Sequence, residues 1–177
     1  MLKHNIIFLL FIVTQIPMML FDFNSKSDIS NWSTVDDVVM GGRSNGSFKI
    51  NDAGNGLFFG KVSLENNGGF SMVQYHFETK NVTNFSKVYI RLKGDGKPYQ
   101  FRVKTNTSDR HSYVAPFNTS GDWEIIEISF ETLSPAFRGR KLDIPNYEGN
   151  QMEMLAFLIG NKKAESFSLE IDSIVLK

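Results

Sequence analysis

Any chemistry in this chain has to come from a short list of side chains. Cysteine is absent, which excludes disulfides, thiolate metal sites, iron–sulfur clusters and cysteine nucleophiles. Beyond the first residues the only histidines are His76 and His111. Neither sits in a nucleophile elbow or at a metal-ligand spacing, and His76, following Tyr75 in an extended stretch, reads as a wall or surface residue. Asp36 and Asp37 are adjacent on an extended segment, so they face opposite ways. They read as a loop cap or a partner for Arg43 rather than as the paired carboxylates of a glycosidase. With Asp95 or Asp143 they offer the oxygens that Ca²⁺ takes, but no spaced acidic loop supports such a site. Gly94-Asp95-Gly96-Lys97 has phosphate-loop composition but lies in a turn between strands, not before a helix. The expectation is a non-enzyme with no metal and no cofactor.

Binding is the remaining class of activity. Residues 87–110 carry seven Lys and Arg against Asp95 and Asp109, a local charge of +5. This stretch includes Arg91 and Arg102 and is a candidate contact for an anionic partner, or simply a solvated face. Phe137-Arg138-Gly139-Arg140 has the makeup of a loop presenting forked donors to carboxylates. Trp32, Tyr113, Trp123 and Tyr147 are the aromatics that could stack on a sugar at a loop rim. Lys+Arg and Asp+Glu are both 19, so no overall basic charge points to nucleic acid.

These residues must be positioned by a chain of 177 residues, 41% hydrophobic and 21% charged, which suits one globular domain. Met1-Leu2-Lys3-His4 followed by the apolar run Ile6 to Val13 has the layout of a secretory leader. The expectation is a signal peptide or anchor over residues 1–19, possible membrane association through it, an exported protein, and no mitochondrial location. A buried first strand is the competing reading. Six Asn-x-Ser/Thr triplets, from Asn31 to Asn118, come naturally from Asn- and Ser-rich turns.

The rest reads as strands. Turn clusters such as Gly41-Gly42, Asn66-Asn67-Gly68-Gly69 and Ser120-Gly121-Asp122 separate short alternating runs, the rhythm of an all-β sandwich or barrel. Centring a two-residue hairpin on Asp95-Gly96 pairs Val88 with Val103, Ile90 with Phe101 and Leu92 with Tyr99 on one apolar face. The other face then sets Tyr89 against Arg102 and Arg91 against Gln100. Leu57–Leu64 and Phe70–Phe77 are expected to form a second hairpin. Trp123 to Phe130 reads as a strand with a slip of face near Ile125. Met154 to Ile159, apolar on both faces, reads as a central, doubly covered strand, and Phe167 to Asp172 as the closing one.

An ordered set of motifs remains: Trp32, Asp37-Val38-Val39-Met40-Gly41-Gly42-Arg43-Ser44, Phe59-Gly60, Gly68-Gly69-Phe70, Gly94 to Tyr99, Trp123, Phe137 to Arg140 and Ile159-Gly160. This set resembles the complex I intermediate-associated protein 30 family over about residues 20–177. The resemblance implies an antiparallel two-sheet jelly-roll sandwich, galactose-binding-domain-like. It also implies a non-catalytic, chaperone-like assembly factor, because the family's mitochondrial members hold assembly intermediates of respiratory complex I. Physically, Met40 is expected to plug the core and Gly41-Gly42 to take angles closed to other residues. Arg43 would reach an acid, and Gly68-Gly69 would form a tight corner before Phe70 enters the core. The candidate binding residues are Asp37, Arg43, Arg91, Arg102, Arg138, Arg140, Trp32 and Trp123. The partner is a protein or, as the alternative, a glycan bound by an exported carbohydrate-binding module.

Overall fold

Alternating apolar residues on nearly every segment leave each strand one greasy face, and two sheets laid face to face bury all of them. The computed structural model describes residues 16–177. Most of the expected leader therefore lies outside the described residues. Two of its expected residues, Met18 and Met19, begin strand β1 (Met18–Asp22). The other strands are β2 (Trp32–Asp36), β3 (Asn45–Ile50), β4 (Gly56–Val62), β5 (Ser71–Asn81), β6 (Lys87–Lys93) and β7 (Pro98–Lys104). They are followed by β8 (Ser112–Asn118), β9 (Trp123–Ser129), β10 (Ser134–Phe137), β11 (Arg140–Lys141), β12 (Gln151–Ile159) and β13 (Glu165–Leu176). One sheet runs β3-β4-β13-β6-β9, with β1 also on β13; the other runs β11-β10-β8-β7-β12-β5-β2. All pairings are antiparallel. This is the two-sheet all-β sandwich expected.

Neither expected hairpin forms. β6 and β7 lie in different sheets, as do β4 and β5. Val88, Ile90 and Leu92 do point inward, and so do Tyr99, Phe101 and Val103, all buried in one core. They meet across the sandwich instead of side by side. The connection itself explains this. Gly96 has φ of 77° but Asp95 is not left-handed, so the turn lacks the two positive φ angles of a tight hairpin. Asp95 instead ties the two sheets together. It accepts from Lys97 Nζ (2.6 Å), Tyr99 Oη (2.9 Å) and the Ser168 N–H of β13 (3.0 Å). Arg102 and Tyr89 are therefore on opposite outer surfaces, and Tyr89 lies under Lys177, 4.3 Å from Nζ to ring centroid.

Other strands correct the sequence reading in smaller ways. β9 pairs with β6 from Trp123↔Lys93 to Ser129↔Lys87 without a shift. The slip near Ile125 is absent, because Ile125 simply faces solvent. β13 is not a closing strand but an inner one, flanked by β6 on one side and by β4 and then β1 on the other. β12 is central, between β5 and β7, as its composition suggested. Among the described residues no third layer lies over its outer side, yet Met154, Ala156 and Leu158 there are only 2%, 0% and 7% exposed.

One end of the core is aromatic. Trp32 stacks on Tyr75 (4.8 Å, 11°) and Phe48 (4.9 Å, 22°), with Phe21 edge-on at 5.4 Å. Such pairs add about 0.5–1.5 kcal/mol each beyond their burial.

Candidate functional site

The most specific motif surrounds Asp37. A short 3-10 turn, Asp37–Met40, ends at Gly41 with φ of 90°. The Gly42 N–H returns to the Asp37 carbonyl at 3.0 Å. This turn places the Asp37 carboxylate inside the protein at 0% exposure. There Oδ1 accepts the Ser44 N–H (2.9 Å). Oδ2 accepts the Ser44 hydroxyl (2.5 Å), the Gly69 N–H (2.5 Å) and the Phe70 N–H (3.3 Å). Burial raises its pKa, but the bonds from Ser44, Gly69 and Phe70 outweigh it, and the net pKa is lowered. The glycines have a steric reason: a Cβ on Gly42 would stand 2.2 Å from Oδ1, and one on Gly68 2.5 Å from Oδ2. One buried carboxylate thus joins the two glycine pairs that sequence reading treated separately. Asp36 turns to the Gly46 N–H at 2.9 Å, so the two acids do part company.

Two expectations about this loop fail. Met40 is 59% exposed and plugs nothing, because the 3-10 turn swings it outward. Phe70 is only half-buried. Arg43 does find an acid, Glu65, at 3.1 Å, in an exposed pair.

The remaining candidates lie in four other places. On the outer surface of the β13-containing sheet, Arg91 bridges to Asp172 (3.0 Å) and lies 4.6 Å over the Trp123 ring, which is 38% exposed. A depression of about 540 Å³ on the same sheet involves Leu57, Phe59 and Ser168. At the β10–β11 tip, Arg138 (φ 49°) and Gly139 (φ 75°) form a two-residue turn. There Arg138 and Arg110 both lie over Phe137, at 5.4 and 5.0 Å, and Arg140 is exposed. The basic stretch 87–110 is therefore not one face; its cations divide between two opposite surfaces, the Asp95 connection and the β10–β11 tip. Trp32 is 7% exposed and offers no face to a sugar. Tyr147 is buried, with its hydroxyl on the Gln151 carbonyl (2.8 Å), and Tyr113 packs against it.

Arg102 occupies the outer surface of the other sheet, across from Ala156 of β12. It is half-buried, and desolvation lowers its pKa. Its Nε and Nη2 both donate to the Gln100 Oε1, at 3.2 and 2.7 Å. His76 sits two strands away, across Met154 from Lys104. Burial and then Lys104 lower its pKa, keeping it neutral. The acids Asp37, Asp95 and Asp143 do not come together, and among the described residues no three His, Asp or Glu side chains are grouped as metal ligands.

A family model described as "Complex I intermediate-associated protein 30 (CIA30)" matches residues 21–171. Two relatives carry the name "Complex I intermediate-associated protein 30, mitochondrial". The Mus musculus protein is 23% identical over 92% of this chain and 57% of its own length; the Drosophila melanogaster protein is 26% identical over 89% and 62%. The chain thus spans about three fifths of the curated relatives it matches. Among solved structures, a family 11 carbohydrate-binding module from Clostridium thermocellum, in complex with a β-1,3-1,4-mixed-linked tetrasaccharide, aligns with a TM-score of 0.64 and 17% identity. That match covers 90% of this chain and 94% of the module. An agarase aligns at 0.63 and 10% identity, over 92% of this chain and 25% of the enzyme. These likenesses establish the jelly-roll, galactose-binding-like fold. The expectation of an exported protein kept from mitochondria is corrected: the relatives are mitochondrial by name. A short apolar run with a basic start did not separate one address from the other.

Proposed function

Because the chain belongs to the complex I intermediate-associated protein 30 family, we propose that it is a non-catalytic, chaperone-like binding protein that holds assembly intermediates of respiratory complex I. Family membership over residues 21–171 carries this reading. The way the strongest motif is used supports it. Asp37 is consumed in closing a loop, Asp95 in tying two sheets and Glu153 in holding Thr79 and the Thr107 N–H. Groups so engaged serve the scaffold, and the surfaces they support do the binding. The test is co-migration of the tagged chain with partly assembled complex I on native gels, together with the amount of mature complex after gene deletion. Association with a subassembly and loss of mature complex are expected. No association, with an undiminished complex, overturns the reading.

Glycan binding is the second reading, and one observation favours it: Trp123 shows part of its ring on an outer sheet surface beside Arg91. An exposed indole is the usual platform for a sugar ring. Titration with mixed-linkage β-glucan and a glycan array decides it. Binding that Trp123→Ala abolishes supports it, and an empty array removes it.

A further inference from the structure

The basic groups of this protein are unequally engaged. Arg43, Lys87, Arg91 and Lys97 each face a carboxylate, of Glu65, Glu127, Asp172 and Asp95 respectively. Lys104 donates to the carbonyls of Thr107 (3.3 Å) and Asp109. Arg102 is half-buried, yet its hydrogen bonds go to one neutral amide oxygen, and it has no carboxylate partner among the described residues. Drying a cation is costly unless an opposite charge arrives. Here the fold has dried it in part, and Gln100 holds the fork in place.

The ground around Arg102 is equally specific. Ala156 lies between Arg102 and Gln74 on the neighbouring strands, so a methyl-sized side chain sits between two long ones. Along β12 the outward Met154 and Leu158 are themselves covered, at 2% and 7% exposure, and the half-exposed Met72 lies next to Leu158. The outward positions of β5, β12 and β7 through this stretch hold no acid and no Phe, Tyr or Trp. The surface therefore has no flat ring for a sugar to stack on. It has one half-exposed Met side chain, Met72, unbranched and polarisable, which adapts to irregular apolar groups. It also has a planar donor that matches a carboxylate bidentately.

We propose that the outer face of the β12-containing sheet, centred on Arg102, binds an extended acidic segment of a protein partner. A partner carboxylate takes the guanidinium donors that Gln100 leaves over, and a neighbouring apolar side chain settles on the half-exposed Met72. This rests on the protein-holding reading above and names the surface that does it.

The experiment selects binders from a random ten-residue peptide library displayed against the folded chain, with trigalacturonate titrated in parallel as an acidic sugar. Selected peptides are expected to be enriched in Asp and Glu beside apolar residues. Arg102→Gln should weaken them about 10- to 100-fold, the loss expected for a hydrogen bond to a charged group. Lys49→Gln, an exposed position on β3 of the other sheet, should leave them unchanged, and amide shifts on binding should map to β5, β7 and β12. Circular dichroism and an unchanged melting temperature establish that Arg102→Gln folds; if it does not, Arg102→Lys, which keeps the charge and loses the fork, takes its place with a smaller loss expected. Selection without acidic enrichment, insensitivity to both Arg102 variants, or binding of trigalacturonate alone overturns the proposal. If Arg102→Gln still co-migrates with complex I subassemblies, this surface is wrong while the assembly reading stands. If the unaltered chain does not co-migrate but acidic peptides bind it through Arg102, the reverse holds.

Discussion

Replacing Asp37 by asparagine probes the central loop with a single-atom change. The carboxylate has four donors, three of them on Oδ2 and one on Oδ1, and none comes from a cation. The best placement of the asparagine amide keeps its oxygen at Oδ2 and turns its NH₂ toward the Ser44 N–H. Three charge-assisted bonds become neutral ones, and one bond becomes a donor facing a donor in a buried site. Bonds to charged groups contribute about 1.5–3 kcal/mol and neutral ones about 1. The change should therefore destabilise the protein by about 3–5 kcal/mol, a large share of a typical domain's stability. Urea unfolding followed by the fluorescence of buried Trp32 measures it. The pH dependence supplies a second readout. The Asp37 pKa is lowered from its ordinary 3.8, so the unfolded chain binds the proton first as pH falls. The contribution is complete above about 3.8 and disappears as pH drops below that value through the folded pKa. Asp37→Asn should flatten that part of the stability profile. A loss under about 1 kcal/mol with an unchanged acid slope would refute the account of the loop.

Three further outcomes follow from the same structure. Gly42→Ala should cost a comparable amount, because its Cβ would meet Oδ1 at 2.2 Å. In a double-mutant cycle with Asp37→Ala the two losses should fall well short of additive, since the small side chain vacates the space. Trp32→Ala should cost about 3–5 kcal/mol in chemical denaturation, by opening the stack between Tyr75 and Phe48. Burial and Lys104 lower the His76 pKa below its ordinary 6.5, so stability should fall as pH drops below 6.5, because the unfolded chain takes the proton first. His76→Gln should remove that component in urea titrations at pH 7 and pH 5.5.

The inner face of almost every strand was legible from alternation, since each strand packs one side only. Which strand lies beside which was not. Val88, Ile90 and Leu92 face Tyr99, Phe101 and Val103 whether the two segments pair edge to edge or stand in opposite sheets, so periodicity is blind to the difference. The deciding contact is Asp95 reaching Ser168, seventy-odd residues away in the chain. Met40 misled for a related reason: hydropathy takes a methionine inward, but the turn that buries Asp37 sets it outside. The Asp37 site itself had a readable signal, an acid and two glycine pairs, and one glycine of each pair, Gly42 and Gly68, leaves no room for a side chain beside the carboxylate. Arg102 had none, because its lack of a carboxylate partner is a property of the folded surface.

The position of β13 has a consequence for how the molecule is made. Its partners come from residues 18–22, 56–62 and 87–93, so among the described strands β1, the β3-β4 pair and the β6-β9 pair are joined into one layer only once β13 has been made. Until then, β1, β4 and β6 lack the neighbour they share, and the backbone edges it pairs with stay open. Contacts spanning so much sequence are slow to close, and the nascent chain is at its most aggregation-prone during that interval.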